Sequence, residues 1–558
     1  MLHARLSRFA LLTMAAAALG ACSAELPTRP DTVLPPQQAR RNVLEAYNGR
    51  IRVGVVPAAA SVKIGGTVAY DVREKGTSAY LVSGLANEQV TVTWNASTPV
   101  ATNNRRLQVV CTTSTTDRDQ RVLAGTDAGF PSAWEYVPTA SCWRVYIGER
   151  PLPIDATAEA AYKQTVVNAG LATTAALWKT VSATVNEPRY VTTKTTGTAA
   201  SSRNPPRIAV AATARVLVAG AQYRGTAEVM RNAAGTLAGI NELPMEEYLY
   251  GVVPRELGPT TYPEIEAQKA QAVAARTYAH SSLGKHWNNG YDVVATVADQ
   301  VYGGAAAEHS ISTSAVNATA GIVATHNGAL ISALFYATSG GRTSSVEDVF
   351  SNPAPYLVSV WDAPAGQELP STAALLTDLR TPAWTGAYGG FHSYHRWSYS
   401  WTMAQMSCVI GDFANKPVGN VTAINILGRA ASGRVTQIEY VTDAGTFTDS
   451  KGAIRSSLAY IGASGVPTLL PSNLFVIERL TGSTGALTGY RVYGGGNGHG
   501  AGLAQTGAVG MARAGHTYDQ ILKKYYTGIA LETKVGTRVN GTSSSGAAVT
   551  DPYDCTSA

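Results

Sequence analysis

One glutamate in this sequence stands in an apolar stretch. Glu256 lies in "GVVPREL", residues 251–257, with Val253, Pro254 and Leu257 close to it along the chain. Most glutamates at protein surfaces are simply solvated. Burial among apolar groups, however, raises the pKa of a carboxyl group, and a neighbouring carboxylate raises it further. Such a setting keeps a carboxyl group protonated, so Glu256 is a candidate general acid.

Two predicted helices flank this glutamate. In "PMEEYLYGVV" apolar residues recur at helical spacing, and Pro244 suits a first helical turn. A second helix is predicted from Pro263 to just before Gly284, and two further glutamates stand near its start. The sequence therefore places Glu256 in the connection between two helices.

The composition is that of a folded chain with many strands. Of 558 residues, 45% are hydrophobic and only 15% are charged, which is typical of globular material of about two to four domains. The formal net charge of +6 is modest and the basic residues are scattered, so we expect no nucleic-acid partner. Short runs of Val, Thr, Ser and Tyr between turn residues predict more strand than helix.

The first residues predict export. Two arginines precede an apolar run over residues 9–19, which is too short for a transmembrane helix but suits a signal peptide. The run ends in "LGAC", which resembles the lipobox of bacterial lipoproteins, with Cys22 as the lipidated residue. Ordinary cleavage at a neighbouring alanine is the alternative. We expect residues 1–22 to be a lipoprotein signal peptide and the protein to face the cell wall, held to the membrane by its N-terminal lipid alone.

Export makes the later cysteines candidates for disulfides. They form neither a C-x-x-C pair nor a Cys/His cluster, which argues against a zinc site or a redox motif. The simplest pairing joins Cys111 with Cys142 through a local loop, and it leaves Cys408 with Cys555. The sequence leaves this connectivity open.

Three segments lie outside the predicted core. Residues 23–45, rich in Pro and Gln, predict a tether, and residues 536–558, rich in Ser, Gly and Thr, predict a flexible tail. Residues 106–185 predict a small α+β insertion, with a helix that starts near Asp155 and stops at Gly170. The insertion resembles the sporulation-related repeat domain, which binds glycan strands that lack stem peptides. An ordinary α+β insertion is the alternative.

The segment around Glu256 carries a second, longer resemblance. "INELPMEEYLYGVVPRELGPTTYPEIEAQKAQAVAARTYA" resembles the stage II sporulation protein D / amidase-enhancer (SpoIID/LytB) family. Further segments match that family in order: "YDVVATVADQVYGG" (291–304), "AVNATAGIVATHNGALISALFYATSGGRT" (315–343), "PYLVSVWD" (355–362), "SGRVTQIEYV" (432–441) and "GHGAGLAQTGAVGMARAGHTYDQILKKYYTG" (498–528). The resemblance implies an α+β fold, with a β-rich core of residues 46–105 and 186–535 and several short helices around a cleft.

The resemblance also implies a reaction. Enzymes of this family are lytic transglycosylases that cut peptide-free glycan strands, and their catalytic acid is the Glu of the segment matching "GVVPREL", which is Glu256 here. Hydrolytic glycosidases use two carboxyl groups. A lytic transglycosylase uses the C6 hydroxyl of the sugar as nucleophile and leaves a 1,6-anhydro end. One carboxyl group can then serve as acid and base, so we expect neither a metal nor another cofactor.

A substrate cleft around Glu256 is implied as well. Amide, hydroxyl and aromatic side chains suit sugar hydroxyls and sugar rings, and glycines let a ligand approach the backbone closely. A histidine between glycines is as often structural as functional. The expected substrate-binding residues are Arg276, Tyr278, Gln300, Tyr302, Ser339, Gly340, Thr343, His499 and Gln505.

One segment departs from the family pattern. Some members carry cysteines in the segment matching "YDVVATVADQVYGG" and use them for a structural zinc ion. Val294 and Asp299 stand at those positions here. We therefore expect no metal in this loop, which packing or hydrogen bonds must hold instead.

Three functions remain open from the sequence. The first is a lytic transglycosylase acting on peptide-free peptidoglycan glycan strands. The second is a non-catalytic, glycan-binding enhancer of a cell-wall amidase, which would then be the partner. The third, a structural envelope lipoprotein, explains the lipobox but not the matched cleft residues. The retained Glu256 favours catalysis.

Overall fold

The structure is a computed structural model that describes residues 49–151, 155–232, 234–286, 289–350, 352–462 and 465–533. The predicted signal peptide with Cys22, the predicted tether and the predicted tail lie outside these residues. The described chain divides into two compact units. Residues 93–192 and 199–204 form the second unit, and the remaining described residues form the first.

The described ranges contain ten α-helices and 28 β-strands, which confirms the predicted β-rich α+β fold class. The helices are α1 (Thr115–Asp127), α2 (Ala156–Asn168), α3 (Met245–Glu256), α4 (Ile265–Ser281), α5 (Ser310–Ala318), α6 (Thr372–Arg380), α7 (Met403–Ala414), α8 (Ile454–Ser457), α9 (Gln505–Arg513) and α10 (Tyr518–Tyr525). The first strands are β1 (Arg50–Ala59), β2 (Ser61–Gly66), β3 (Tyr70–Glu74), β4 (Tyr80–Gly84), β5 (Gln89–Thr112), β6 (Ser132–Val137), β7 (Cys142–Pro151), β8 (Leu177–Thr193), β9 (Ala199–Ser202), β10 (Pro206–Ala209), β11 (Val216–Val218), β12 (Ala221–Tyr223), β13 (Thr226–Arg231) and β14 (Leu237–Pro244). The others are β15 (Val293–Val294), β16 (Ile322–His326), β17 (Ala329–Leu330), β18 (Phe335–Tyr336), β19 (Trp397–Thr402), β20 (Val421–Arg429), β21 (Val435–Thr442), β22 (Gly445–Ser450), β23 (Tyr460–Ile461), β24 (Pro467–Thr468), β25 (Phe475–Thr481), β26 (Leu487–Gly494), β27 (Leu503–Ala504) and β28 (Ala530–Thr533).

A seven-stranded sheet positions the segment that contains Glu256. Its strand order is β15-β1-β14-β13-β10-β3-β4. Strand β1 runs antiparallel to β14, with Val53 opposite Asn241, and parallel to β15, with Val53 opposite Val293. Strand β14 leads directly into α3, and β15 leads into the loop after β15. Because β1 pairs with both strands, it fixes the starting points of α3 and of that loop.

Helices α3 and α4 follow this sheet and correct one prediction. Helix α3 continues to Glu256, so this glutamate is the last helical residue and does not lie in the connection. Pro254 lacks an N–H group, but the helix persists past it because the N–H of Leu257 bonds to the carbonyl of Val253 at 2.9 Å. Helix α4 begins at Ile265, because Glu264 already has extended backbone angles.

Two of the apolar cores in the described part of the first unit lie beyond this sheet. One joins α4 with α9 and α10, and its buried members include Ala270, Val273, Val509, Ile521 and Leu522. The other joins α7 with strands β19–β21, β25 and β26, and its largest buried side chains are Trp401, Tyr440 and Tyr490. Sheets β19-β26-β25 and β20-β21-β22 each contain three strands.

The second unit is a strand–helix–strand–strand–helix–strand arrangement. Four of its strands lie in the order β8-β5-β7-β6, with α1 and α2 in the connections, which is the split βαβ pattern. Strand β9 pairs with β8. Asp155 caps α2 by accepting the N–H of Ala158 at 2.8 Å, and Gly170 follows the helix with φ +72°. The predicted start and stop of this helix are confirmed.

The structure joins Cys111 on β5 to Cys142 on β7 in a disulfide, with the Cα atoms 5.6 Å apart. Cys408 lies in α7, and its predicted partner Cys555 lies outside the described residues. Within the described ranges, no helix combines the length and the apolar character needed to cross a lipid bilayer.

Candidate active site

Glu256 ends α3 as a partly exposed residue. Its Oε1 accepts the backbone N–H of Val301 at 2.6 Å. Its own carbonyl oxygen accepts the side-chain amide of Gln505 at 3.0 Å. The carboxyl group therefore meets a single backbone donor at one oxygen, while the backbone behind it is fixed to the start of α9.

Burial sets the protonation of this carboxyl group. It raises the pKa of Glu256 to about 7, against the opposing effect of the Val301 N–H, which stabilises the charged form. No neighbouring carboxylate contributes to that shift among the described residues. The apolar setting that the sequence indicated is thus the cause, and the group is able to hold or release a proton near neutral pH.

The loop after β15 presents the Val301 N–H, and Asp299 anchors that loop. The Asp299 carboxylate accepts the backbone N–H of Val294 at 2.8 Å and contacts Lys285 Nζ at 2.6 Å and His286 Nε2 at 2.9 Å. Burial opposes its charge, but the hydrogen bond from His286 and the charge of Lys285 outweigh burial and lower the pKa of Asp299 to about 2. Hydrogen bonds and the ion pair with Lys285 therefore hold this loop at Asp299.

Three predicted substrate-binding residues belong to the support of this loop. Tyr278 on α4 donates its hydroxyl to Asp299 at 3.2 Å. Gln300 is fully buried, accepts the Tyr248 hydroxyl at 3.1 Å and donates to a carbonyl of α4. Tyr302 donates its hydroxyl to Asn241 at 2.8 Å and is 6% exposed. The structure brings all three to the segment next to Glu256, with their polar groups engaged inside the protein.

Gln505 and Arg276 are also engaged internally. Gln505 bridges the Glu256 carbonyl and the amide oxygen of Gln271, at 3.0 and 3.2 Å. Arg276 is fully buried and forms a two-pronged ion pair with Glu246 on α3, at 2.9 and 2.6 Å. Arg276 therefore ties α4 to the first turn of the helix that ends at Glu256.

Ser339 belongs to a hydrogen-bonded cluster around Asp362, and Gly340 follows it in the chain. Ser339 is fully buried and donates its hydroxyl to Asp362 at 2.5 Å, and Tyr525 donates to the other oxygen at 2.5 Å. Asp362 is also fully buried, and burial raises its pKa to about 6 despite those bonds. Gly340 has φ +72°, and a side chain there would collide with the backbone of Gly495.

The predicted residues Thr343 and His499 also form hydrogen bonds inside the protein. The Thr343 hydroxyl accepts the N–H of Val360 at 2.8 Å. His499 bonds through Nε2 to the carbonyl of Phe335 at 3.0 Å and through Nδ1 to the N–H of Ala501 at 3.2 Å. Burial and the charge of Arg455 lower the pKa of His499 to about 4, so it is neutral near pH 7.

Sequence reasoning missed the groups that lie near Glu256 in space but far from it in sequence. The Val301 N–H lies 45 residues away in sequence and, as a backbone group, leaves no residue-type signal. From the sequence, Asp299 stands out only because the resemblance implies a cysteine at its position in some members of the family. Within the described part of the chain, no group of three or more His, Cys, Asp or Glu side chains is placed to hold a metal ion.

Comparison with known proteins places this site in a family. Residues 233–326, which contain Glu256 and Val301, match the family model described as stage II sporulation protein, SpoIID. An uncharacterised protein of Brachyspira hyodysenteriae is 33% identical over 297 residues, which are 53% of this chain and 68% of that protein. The chain belongs to the SpoIID/LytB family. A second model, for a domain of unknown function, matches residues 344–502, which include Asp362.

Two named members of the SpoIID/LytB family are also similar. The stage II sporulation protein D of Bacillus subtilis is 29% identical over 308 residues, which cover 52% of this chain and 74% of that protein. The amidase enhancer of Bacillus subtilis is 29% identical over 295 residues, 51% of this chain and 40% of that protein. The chain thus spans well under half of the amidase enhancer.

Proposed function

We propose that this protein is a cell-wall lytic transglycosylase that cleaves peptide-free peptidoglycan glycan strands and leaves 1,6-anhydro-N-acetylmuramic acid ends. The observation that carries the proposal is Glu256, a partly exposed carboxyl group whose pKa burial raises to about 7. A carboxyl group with that pKa serves as acid in one step and base in the next at neutral pH. Membership of the SpoIID/LytB family supports a role at the cell wall.

The proposed reaction needs one titrating group. Protonated Glu256 gives its proton to the glycosidic oxygen as the bond from C1 to that oxygen breaks, and the leaving sugar departs with a new hydroxyl. The C6 hydroxyl oxygen of the same muramic acid residue then bonds to C1, and its proton passes to the Glu256 carboxylate. The carboxyl group returns to its starting state, so no water molecule is consumed.

The Val301 N–H favours the carboxylate that forms halfway through this cycle. It lies 2.6 Å from Oε1 and lowers the pKa of Glu256 against the effect of burial. Burial alone would favour the acid and leave a poor proton donor. The two opposing effects hold the pKa near neutrality, where both halves of the cycle are accessible.

The second candidate function is glycan binding without cleavage, in an enhancer of a cell-wall amidase. The similarity to a protein named amidase enhancer favours it, and so does an aromatic surface on the second unit. Trp134 and Tyr136 are 45% and 48% exposed. Their ring centroids lie 4.6 Å and 4.7 Å, respectively, from the ring centroid of Trp143. Arg118 stacks on Trp134 and Trp143. Exposed aromatic faces of this kind suit sugar rings.

Location and partners follow from the proposal. A lytic transglycosylase of the wall works outside the cytoplasm, and the "LGAC" segment supports export with lipidation at Cys22. Its partners are peptidoglycan glycan strands, with a cell-wall amidase as partner under the second candidate function. A Cys22→Ser variant should leave the membrane fraction; equal retention in that fraction would remove the lipid anchor from the proposal.

Cleavage is tested with purified protein and peptide-free glycan strands, followed by mass spectrometry for 1,6-anhydro ends. Wild type should form them and Glu256→Gln should not. Glu247→Gln is the matched control, since Glu247 lies on the same helix and has no assigned role. Wild-type protein that sediments with glycan but forms no anhydro ends would support the binding function instead.

The aromatic surface has its own test. Replacing both Trp134 and Tyr136 by alanine should weaken co-sedimentation with glycan strands while leaving the anhydro products unchanged. Leu123→Ala is a control on the same unit, because Leu123 is 61% exposed and is not aromatic. Unchanged binding by the double variant would remove glycan recognition from this surface.

A further inference from the structure

The loop that follows β15 has one contact with Glu256 and several contacts that fix its own shape. Val301 gives its N–H to Glu256, and two residues later the N–H of Gly303 bonds to the carbonyl of Gly251 on α3 at 3.0 Å. The loop is therefore attached to α3 at both points. On the N-terminal side of Val301, the contacts of Asp299 restrain the same loop.

Asp299 gathers donors from three parts of the chain. Its carboxylate is fully buried, whereas the partner side chains of Lys285 and His286 are 18% and 26% exposed. Tyr278 donates from α4, Lys285 and His286 bind from the segment after α4, and Val294 donates its N–H from β15. A buried carboxylate with this many directed donors has little freedom to move.

A second aspartate secures the segment between α4 and β15. Asp292 is buried and accepts the N–H groups of Arg52 and Gly284, both at 2.9 Å. This fixes the residue just before β15 to β1. Asp299 then fixes the middle of the loop, immediately before the residues that face Glu256.

We propose that Asp299 is the positioning residue for the catalytic carboxyl group: its hydrogen-bonded cluster with Lys285 and His286 holds the Val301 N–H in hydrogen-bonding range of Glu256. The inference rests on the proposed function only for its effect on cleavage, because the hydrogen bond itself exists without substrate. Asp299 does not contact the reacting atoms and acts through the backbone of its own loop.

The sign of the effect follows from the bond that is lost. The Val301 N–H stabilises the Glu256 carboxylate and so lowers the pKa of Glu256. A displaced loop weakens that bond, and burial then acts with less opposition and raises the pKa further. The titratable and charged groups around Glu256 and the Asp299 cluster are Tyr248, Tyr278, Lys285, His286, Tyr291 and Tyr302.

The test measures Glu256 directly in the full chain. Carbon-13-labelled glutamate reports each carboxyl group by NMR, and the signal missing from Glu256→Gln identifies Glu256. Asp299→Asn should raise the pKa of Glu256 by roughly 0.5 to 1 unit. In the cleavage assay it should move the alkaline limb of the pH profile upward and lower kcat roughly tenfold with KM unchanged.

Asp378→Asn is the matched control. Asp378 is 7% exposed, accepts the N–H groups of Ala383 and Trp384 at 2.8 Å each and pairs with Arg396. It resembles Asp299 in burial and bonding but belongs to α6. Its substitution should leave the titration of Glu256 unchanged.

Two further variants apply if Asp299→Asn does not fold. Lys285→Met and His286→Leu each remove one partner of Asp299 at a partly exposed position, and each should move the pKa of Glu256 in the same direction by a smaller amount. A folded Asp299→Asn with wild-type titration of Glu256 overturns the proposal, as do wild-type titrations in both partner variants. Absence of cleavage by wild type would refute the proposed function instead, while the titration still decides the role of Asp299.

Discussion

Glu256 and Asp362 are both carboxyl groups whose pKa burial raises, to about 7 and about 6, yet their surroundings differ. Asp362 is fully buried and receives the hydroxyls of Ser339 and Tyr525 and a backbone N–H from Gly389. Glu256 is partly exposed and, among the residues that the structure describes, receives a single N–H, from Val301.

The difference separates a group that can react from one that supports the fold. Hydrogen bonds from three donors occupy Asp362, and a substrate atom cannot reach a fully buried side chain. Glu256 is partly exposed, and no described residue other than Val301 donates to its carboxyl group, while burial still raises its pKa. A raised pKa therefore marks a candidate acid only when the group is also accessible.

The largest expected effect is the loss of cleavage in Glu256→Gln, by roughly 10³-fold. The amide retains an oxygen to accept the Val301 N–H, so the thermal unfolding temperature should change little. Asp362→Asn, assayed on its folded fraction by counting anhydro ends, should keep most of its activity. Equal losses in the two variants would abolish the distinction between these carboxyl groups.

The pH dependence of cleavage should follow Glu256 and not Asp362. The acid must be protonated to act, so kcat/KM should fall about tenfold per pH unit above its pKa, which is about 7. A profile measured from pH 5 to pH 9 shows this limb. A fall that begins near pH 6 instead would point to Asp362.

Stability should follow Asp362. Its folded pKa of about 6 lies above its ordinary value of 3.8, so between these values the native state binds the proton more tightly than the unfolded state. The free energy of unfolding therefore falls by ~3 kcal/mol as pH rises through this window. Asp362→Asn lacks this contribution, so urea titrations should find it less destabilising, relative to wild type, at pH 7 than at pH 4. An equal difference at both pH values contradicts the assignment.

The smallest expected effect concerns Tyr302, which lies beside the loop that contacts Glu256. Tyr302→Phe loses the hydrogen bond to Asn241 and should destabilise the protein by about 1–2 kcal/mol. Cleavage should stay within roughly threefold of wild type, because the hydroxyl is engaged inside the protein. A large loss of cleavage with unchanged stability would instead assign Tyr302 to sugar binding.

Much of the fold could be predicted from local patterns. The helical spacing after Pro244 and the cap at Asp155 each depend on residues within a few positions of one another. The helix boundary at Glu256 could not, because the bond from Leu257 to Val253 carries the helix past a proline that normally suggests an end. Short-range rules fix the existence of an element better than its limits.

The surroundings of the candidate site could be predicted far less well. The Asp299 cluster collects partners from positions 278, 285, 286 and 294, whose spacing follows neither a helix nor a strand period. Ser339, expected in a substrate cleft, donates to Asp362 at 2.5 Å inside the protein. Residue type indicated that a hydroxyl was present, but not which partner would occupy it.

The sequence by itself indicated the candidate acid, its apolar neighbours and the family, because these depend on residue identities along one segment. Only the tertiary structure decided how the acid is tuned. Strand β1 pairs with both β14 and β15, which brings a backbone N–H from 45 residues away to 2.6 Å from Glu256. A pKa depends on desolvation and on donors in space, and neither is written in the order of the residues.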